Sequence, residues 1–494
     1  LFGPTFEGNL FYCEPSLNLL HRCLLSRDGS GYRGQRSPEE QTSEFLASRD
    51  QWFRPMNLRV GPEGALYIVD MYREIVEDYS AIPRFLQQQY GLEKGRHHGR
   101  IWRLVPKHYQ REPWSDMTSL GSEELIRLTN ATSLWRRLTA QRLLIERGDS
   151  SIADSLHRRL RRSSNAAQIN HLLYTLRGLG ELEKADVAEA LHHEAYEVRM
   201  HGLRLSESWL TGDDQLLEQV VNLADDPDSR VRIQVALTLG ESRDPKVAGA
   251  LLRMAERYGT ERWMSAAIVS ASSAHYQDML MGILGSDEVE PGSRLLLQAL
   301  SATLAARRDV PALERLLETI IDSETSDQLA CLKGVVDGLG QGDQAWGDLR
   351  GIGTSLPVLL TAVPYDVRVL AVRLAVDLSM KDNPILDRIF SKAVTEVGDN
   401  QLSLLTRRQA MEILAYAPFD VLRPVAVSML SAAYPPELQL AAAEALGLRE
   451  ETGAGAALLE AWSGYTPRMR EVVMQHMFSR VNRVPALLQA VEQG

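Results

Sequence analysis

The chain has 494 residues, more than one compact core accommodates, and its 44% hydrophobic and 24% charged content is that of a folded globular protein rather than a disordered one. A formal net charge of -11 argues against a general nucleic-acid binder, whose affinity comes from clustered Lys and Arg. The three cysteines, Cys13, Cys23 and Cys331, lack C-x-x-C spacing, which excludes a zinc ribbon, a thioredoxin-type redox pair and a covalent c-type haem in this chain, and no run of about 18 apolar residues is present to span a bilayer.

Taken in chain order, the first hundred residues read as strands. Asn9 to Cys13 and Leu19 to Leu25 are short runs, followed by the turn Arg27-Asp28-Gly29-Ser30-Gly31 and a further run from Tyr32. Asp and Gly supply turn dihedrals that other residues resist. A second set comprises Phe53 to Val60, the turn Gly61-Pro62-Glu63-Gly64, the alternating stretch Ala65 to Met71, and Arg100 to Val105, with helical spacing inserted from Ile82 to Tyr90. Units of a strand, a tight turn and a strand are what propeller blades look like in sequence. Residues 1–107 are therefore expected to be the C-terminal part of a β-propeller, about two blades, and the missing blades are expected upstream, because a ring needs roughly four to eight. Cys13 and Cys23 are either bridged across neighbouring strands or two thiols in a sheet.

Beyond Pro106 the pattern changes to amphipathic segments joined by Gly, Asp and Pro. The clearest spans Asp228 to Tyr258: Val231, Val235 and Leu239 share one face, Gly240 can end the helix, Asp244-Pro245 turns the chain, and Val247, Leu251 and Met254 line a partner helix. Comparable helices centre near Arg136, Gln168, Arg199, Arg232, Trp263, Arg294, Leu329, Arg368, Arg408, Leu438 and Arg470. Their spacing of about 30 to 40 residues is that of stacked helix pairs, so residues 108–494 are expected to form an α-solenoid. Small residues such as Ala236, Ala371, Ala375 and Ala441 to Ala443 let paired helices approach closely. The basic run Arg158 to Arg162 falls on such a helix and reads as a solvated face.

Val-Arg recurs at Val198-Arg199, Val231-Arg232 and Val367-Arg368, preceded by Glu197, Asp228 and Asp366, a combination that resembles HEAT repeats. The resemblance implies an Asp and Arg ladder holding repeats in register, with Asp228, Arg232, Arg199, Asp366 and Arg368 as structural members. The fold class expected is thus α+β multidomain, propeller blades followed by a HEAT-like solenoid.

Trp52-Phe53-Arg54-Pro55-Met56-Asn57 and the stretch from Gly61 to Glu74, together with Trp135 to Leu144 and Glu146-Arg147-Gly148-Asp149, resemble the bacterial "membrane-bound dehydrogenase" proteins best known from planctomycetes. That resemblance, which covers essentially the whole chain, implies a fragment of a periplasmic or exported redox protein acting on a sugar or alcohol. It implies a quinone cofactor and haem c in the parent protein, with the array as scaffold for a haem domain that this chain lacks. On that reading Arg54, Asn57, Asp70, Tyr72 and Arg73 line a channel or contact an anionic cofactor, since a guanidinium grips carboxylates in bidentate fashion. The simpler reading pairs Arg54 with Asp70 as a brace. Glu74 and Glu77 are acid or base only in principle.

The adjacent pairs His97-His98 and His192-His193 diverge on regular structure, no H-E-x-x-H occurs, and no metal is assigned. Neither G-x-G-x-x-G after a strand nor a Walker loop is present, which removes nicotinamide and nucleotide chemistry. The alternative to a dehydrogenase is a non-catalytic scaffold that binds a protein partner along the helices.

Overall fold

Period-2 alternation and turn chemistry give way to a 3.6-residue period after the first hundred residues, and the computed structural model follows that division, describing residues 3–76, 82–92, 94–95, 97–109, 116–339, 355–362, 364–378, 380 and 383–493. Glu77 lies outside the described residues. The strands are β1 (Asn9–Glu14), β2 (Leu19–Asp28), β3 (Gly31–Arg36), β4 (Leu46–Ala47), β5 (Pro55–Val60), β6 (Leu66–Asp70) and β7 (Arg100–Leu104), with helix α1 (Arg84–Tyr90) between the last two.

All pairings are antiparallel: β1-β2-β3 with β4 added to β2 form one sheet, and β5-β6-β7 form the other. Leu20, Phe53 and Ile68 are buried in a shared core against which Phe45, Leu46, Leu58 and Leu104 pack. Three such side chains bury on the order of 6 kcal/mol of transfer free energy. This corrects the expectation of a propeller: among the described residues no ring of blades is present, only these two small sheets. Turn residues and alternation specify hairpins, and a hairpin is compatible with many sheet arrangements. Cys13 faces Leu20 and Cys23 faces Leu10 in the register, and both thiols are free.

The helices divide between two compact units, Leu1–Ala250 with Glu261–Ala271, and Leu251–Thr260 with Ser272–Gly494. The first unit holds α2 (Ser122–Leu128), α3 (Leu134–Arg147), α4 (Ala153–Arg162), α5 (Ala166–Leu179), α6 (Lys184–Leu191), α7 (Tyr196–Ser206), α8 (Asp214–Asn222) and α9 (Ser229–Leu239). It also includes the start of α10 (Lys246–Tyr258) and the whole of α11 (Met264–Ala271). Each short helix pairs with the next longer one, α2 with α3, α4 with α5, α6 with α7 and α8 with α9. The longer helices then stack as a row, α3 on α5 on α7 on α9 on α11.

A helix in the row has neighbours on several sides, so α9 buries Val231, Gln234, Val235, Ala236, Thr238 and Leu239, whereas α8 buries only the stripe Leu216, Leu217 and Val220. Side-chain caps start the helices as the sequence dictates, Ser133 for α3, Asn165 for α5 and Asp228 for α9. Gly240 ends α9 without a left-handed turn. Its value is space, because a Cβ there would lie 2.7 Å from Ala271 Cα on the neighbouring row helix.

The second unit repeats the scheme with α12 (Tyr276–Leu284), α13 (Pro291–Ala306), α14 (Val310–Ile320), α15 (Thr325–Leu339), α16 (Leu356–Leu360), α17 (Tyr365–Asp377) and α18 (Pro384–Gly398). It continues with α19 (Leu404–Leu414), α20 (Phe419–Met429), α21 (Pro436–Gly447), α22 (Gly453–Leu459), α23 (Pro467–Phe478) and α24 (Val484–Gln493). Here α13, α15, α17, α19, α21 and α23 form the row. Gly334 on α15 meets α13 so closely that a Cβ would stand 2.1 Å from the Gln298 carbonyl oxygen. The expected helix centres fall on row helices, apart from Trp263, which sits just before α11, and Ala371, Ala375 and Ala441 to Ala443 are buried.

Candidate functional site

The residues singled out at the end of the second sheet are gathered, but mostly by the backbone. The Arg54 guanidinium donates to the carbonyls of Arg73 at 3.2 Å, Pro15 at 2.9 Å and Glu74, tying the loop after β6 to the turn after β1. Asp70, 1% exposed, accepts from the amides of Arg54 at 2.8 Å and Tyr72 at 2.9 Å and from the Trp102 indole at 2.8 Å. The brace is therefore between the Asp70 carboxylate and the Arg54 amide rather than its guanidinium. Tyr72 holds a left-handed φ of 50°, donates to Asp50 at 2.9 Å and lies under the Arg100 guanidinium, 3.4 Å from its ring centre. Arg73 and Asp70 border an open cleft with Arg100, Met56 and Ile101, while Asn57 is exposed on β5. Glu74 accepts from the Trp52 indole at 2.7 Å.

In the helical rows the arginines form rungs. Arg199 on α7 grips Asp226 with two bonds of 2.7 and 2.9 Å, and Arg232 on α9 grips Glu261 at 2.6 and 2.8 Å while donating to the Asp226 carbonyl at 2.7 Å. In the second unit Arg294 on α13 does the same to Asp327 at 2.6 Å and Glu324 at 2.9 Å. The acid stands at the start of the next row helix, so each rung joins neighbours in the stack. Asp366 occupies the first turn of α17, and Arg368 lies 5.7 Å from the ring centre of Tyr365.

Asp228 has another job. Besides capping α9, it binds Arg230 at 2.9 Å and Arg27 of the β2–β3 hairpin at 2.5 Å. The hairpin adds a Ser30 hydroxyl bond to the Arg262 carbonyl at 3.0 Å and a Tyr32 hydroxyl that accepts from Arg230 at 3.0 Å. Burial alone would raise the Asp228 carboxyl; hydrogen bonds from the Arg230 side chain and amide and from Arg27 outweigh it and hold the group well below the usual carboxylate range. The Arg230 guanidinium, hydrogen-bonded to Asp228, is raised in turn. Tyr196, stacked 3.4 Å under Arg230, is pushed up to about 12 by burial and by its bond to Glu197.

Towards the C-terminal ends of α5, α7, α9 and α11 the first unit opens a cavity of about 490 Å³, lined by Tyr174, Arg177, Arg204, Glu207, Gln234, Leu237 and Glu241. A polar chain leads along the row to it: His171 bonds Gln141 at 2.6 Å, Tyr174 bonds His201 at 3.1 Å, and Arg204 donates to Gln234 at 2.8 Å. Burial, with Arg137 and His201 nearby, lowers the His171 imidazole to about 4. Burial raises the Glu207 carboxyl, as does the charge of Glu241, against a Thr238 hydroxyl bond that lowers it. None of these side chains was singled out in the sequence; the offset of roughly one repeat between Arg177, Arg204 and Gln234 is the signal that aligns them on successive row helices.

One further cluster among the described residues brings ligand atoms of His157, Glu183 and Asp186 within 4.8 Å of one another. Asp186 there accepts from the Glu183 amide at 3.0 Å, completing the cap of α6, and lies 3.1 Å from His157 Nδ1. A cation would displace those bonds and face the positive end of α6. No cofactor site is evident among the described residues, and no helix among them is long and apolar enough to cross a membrane.

Comparison with known proteins agrees with the helical part. Residues 185–269 match the HEAT repeat family, and residues 1–108 match a family described as a domain of unknown function, DUF7133. No curated protein matches the chain. Among solved structures, Kap121p bound to Nup53p is similar at 12% identity and a TM-score of 0.47 over 72% of this chain and 45% of that one. The karyopherin Kap121p bound to the extreme C-terminus of the protein phosphatase Cdc14p is similar at 12% identity and a TM-score of 0.44 over 75% and 48%. The chain thus spans less than half the length of these structures. It carries HEAT repeats, and neither matched family description names a reaction.

Proposed function

We propose that this chain is an interaction scaffold whose first helical unit receives a protein partner. The observation that carries this reading is the cavity across four successive row helices, where exposed Arg177, Arg204 and Glu241 present separate charges around Leu237 and buried Gln234 holds Arg204 in place. Repeat stacks offer extended surfaces of this kind because neighbouring units bury each other's apolar faces and leave one side of the row open. An enzyme reading has less to stand on. Arg54 and Asp70, two of the five residues it would use, direct their hydrogen bonds to backbone carbonyls, backbone amides and the Trp102 indole, and Asp70 is 1% exposed.

The test is recovery of a stoichiometric partner by the tagged protein. Arg177→Glu with Arg204→Glu is expected to lose that partner while the circular dichroism spectrum stays unchanged. Retention of the partner by the double variant, or oxidation of a sugar by the purified chain with a dye acceptor, would overturn the proposal.

A further inference from the structure

A second surface lies where the β2–β3 hairpin meets the starts of α7, α9 and α11. Trp263 is 58% exposed and Tyr32 55% exposed, beside the guanidinium groups of Arg27, Arg33 and Arg262, whose side chains are 51%, 66% and 58% exposed. Trp, Tyr and Arg are the residues enriched in the anchor positions of protein interfaces. Trp263 also holds a left-handed φ of 70°. For a bulky residue that conformation is strained, and such strain persists only where the surroundings enforce it and gathers at functional positions. Here the enforcement is visible: Arg262 stacks 5.2 Å from the Trp263 ring centre, and its carbonyl is fixed by Ser30 of the hairpin. The hairpin thus fixes the backbone immediately before Trp263, whose indole is 58% exposed.

The charge of this surface opposes that of the chain. Among the groups on it, Asp228 is spent on Arg27 and Arg230, and Glu261 is spent on Arg232. Asp28 lies 3.3 Å from Arg33 and 3.9 Å from Arg262, so these two exposed guanidinium groups share one carboxylate. In a chain of net charge -11 this is a local cationic and aromatic patch. We propose that it docks an acidic segment of a partner polypeptide, with carboxylates on Arg33 and Arg262 and an apolar side chain against Trp263. A polypeptide is favoured over a nucleic acid because the overall acidity of the chain repels a long polyanion. The proposal rests on the scaffold reading but on a surface separate from the cavity.

The probe is a fluorescein-labelled peptide of six glutamates flanking two phenylalanines, followed by anisotropy on the full chain, with a lysine counterpart and a single-stranded oligonucleotide alongside. The glutamate peptide is expected to bind and to weaken as salt is raised, because exposed ion pairs are screened. Arg33→Glu combined with Arg262→Glu is expected to cut affinity at least about tenfold, in line with the loss of charge-assisted contacts. Trp263→Gly separates binding from folding: it removes the indole and also the backbone strain, so the peptide is lost while the melting temperature holds or rises. Arg177→Glu with Arg204→Glu should leave peptide binding unchanged even where it abolishes partner recovery, so failure of one reading is distinguishable from failure of the other. No binding of the glutamate peptide, undiminished binding by the Arg33/Arg262 or Trp263 variants, or tighter binding of the oligonucleotide would overturn the proposal.

Discussion

In the sheets, Arg54 and Asp70 are satisfied by backbone groups and an indole drawn from Pro15, Tyr72, Arg73, Glu74 and Trp102, whereas in the rows Arg199, Arg232 and Arg294 each reach an acid at the start of the next row helix. The sheet region is thus a knot of contacts distant in sequence, and the rows are chains of nearest-neighbour contacts. Damage to the knot should spread through both sheets, while damage to a rung should stay with its two helices.

The largest effect is expected at the knot. Asp70→Ala strands three part-buried donors and should cost roughly 2–4 kcal/mol, read by urea denaturation, with exchange protection lost throughout β1–β7. Loss confined to β5 and β6 would break the contrast. Next comes close packing in the second unit, where Gly334→Ala places a methyl against the Gln298 carbonyl. That change should cost about 1–3 kcal/mol, with protection lost in α13 and α15 and retained in the sheets.

Asp228→Asn keeps a capping oxygen for α9 but removes the charge gripped by Arg27 and Arg230, and should cost about 1–2 kcal/mol at neutral pH. The sign of its pH dependence follows from the lowered folded-state pKa. Its contribution is fully present above the unfolded carboxyl value of about 4 and is lost as pH falls from there towards the folded value. Denaturation midpoints of the variant and the natural chain should therefore converge in acid below about pH 4; parallel curves down to pH 2 would contradict the assignment. The smallest effect is expected for Glu146→Ala, which removes an exposed i,i+4 pair with Arg142 on α3 and should change stability by less than about 0.5 kcal/mol in a thermal melt.

What the sequence disclosed tracks the same contrast. Val231, Val235 and Leu239 reveal a helix because their contacts recur within a few residues, and the recurrence of that pattern reveals a stack. The Val-Arg pairs marked Arg199 and Arg232 as rungs, but the partners Asp226 and Glu261 lie about a repeat downstream, where no local pattern marks them. Asp228 was legible only as a member of the inter-repeat ladder; its roles as the cap of α9 and the anchor of the hairpin depend on Arg230 and on Arg27, which is far away in sequence. The strands were legible individually, since Gly61-Pro62-Glu63-Gly64 and alternation act locally, yet their assembly into two small sheets rather than a ring depends on pairings no short-range signal encodes. The cavity was missed for the same reason: Tyr174, Arg204 and Gln234 meet only after three helices have stacked.

The most direct test of the scaffold reading is hydrogen–deuterium exchange on the chain with and without its recovered partner. The account predicts added protection in the segments 174–177, 204–207 and 234–241 around the cavity, absent in the Arg177→Glu and Arg204→Glu double variant. Protection that leaves those segments unchanged, or that persists in the variant, would contradict it.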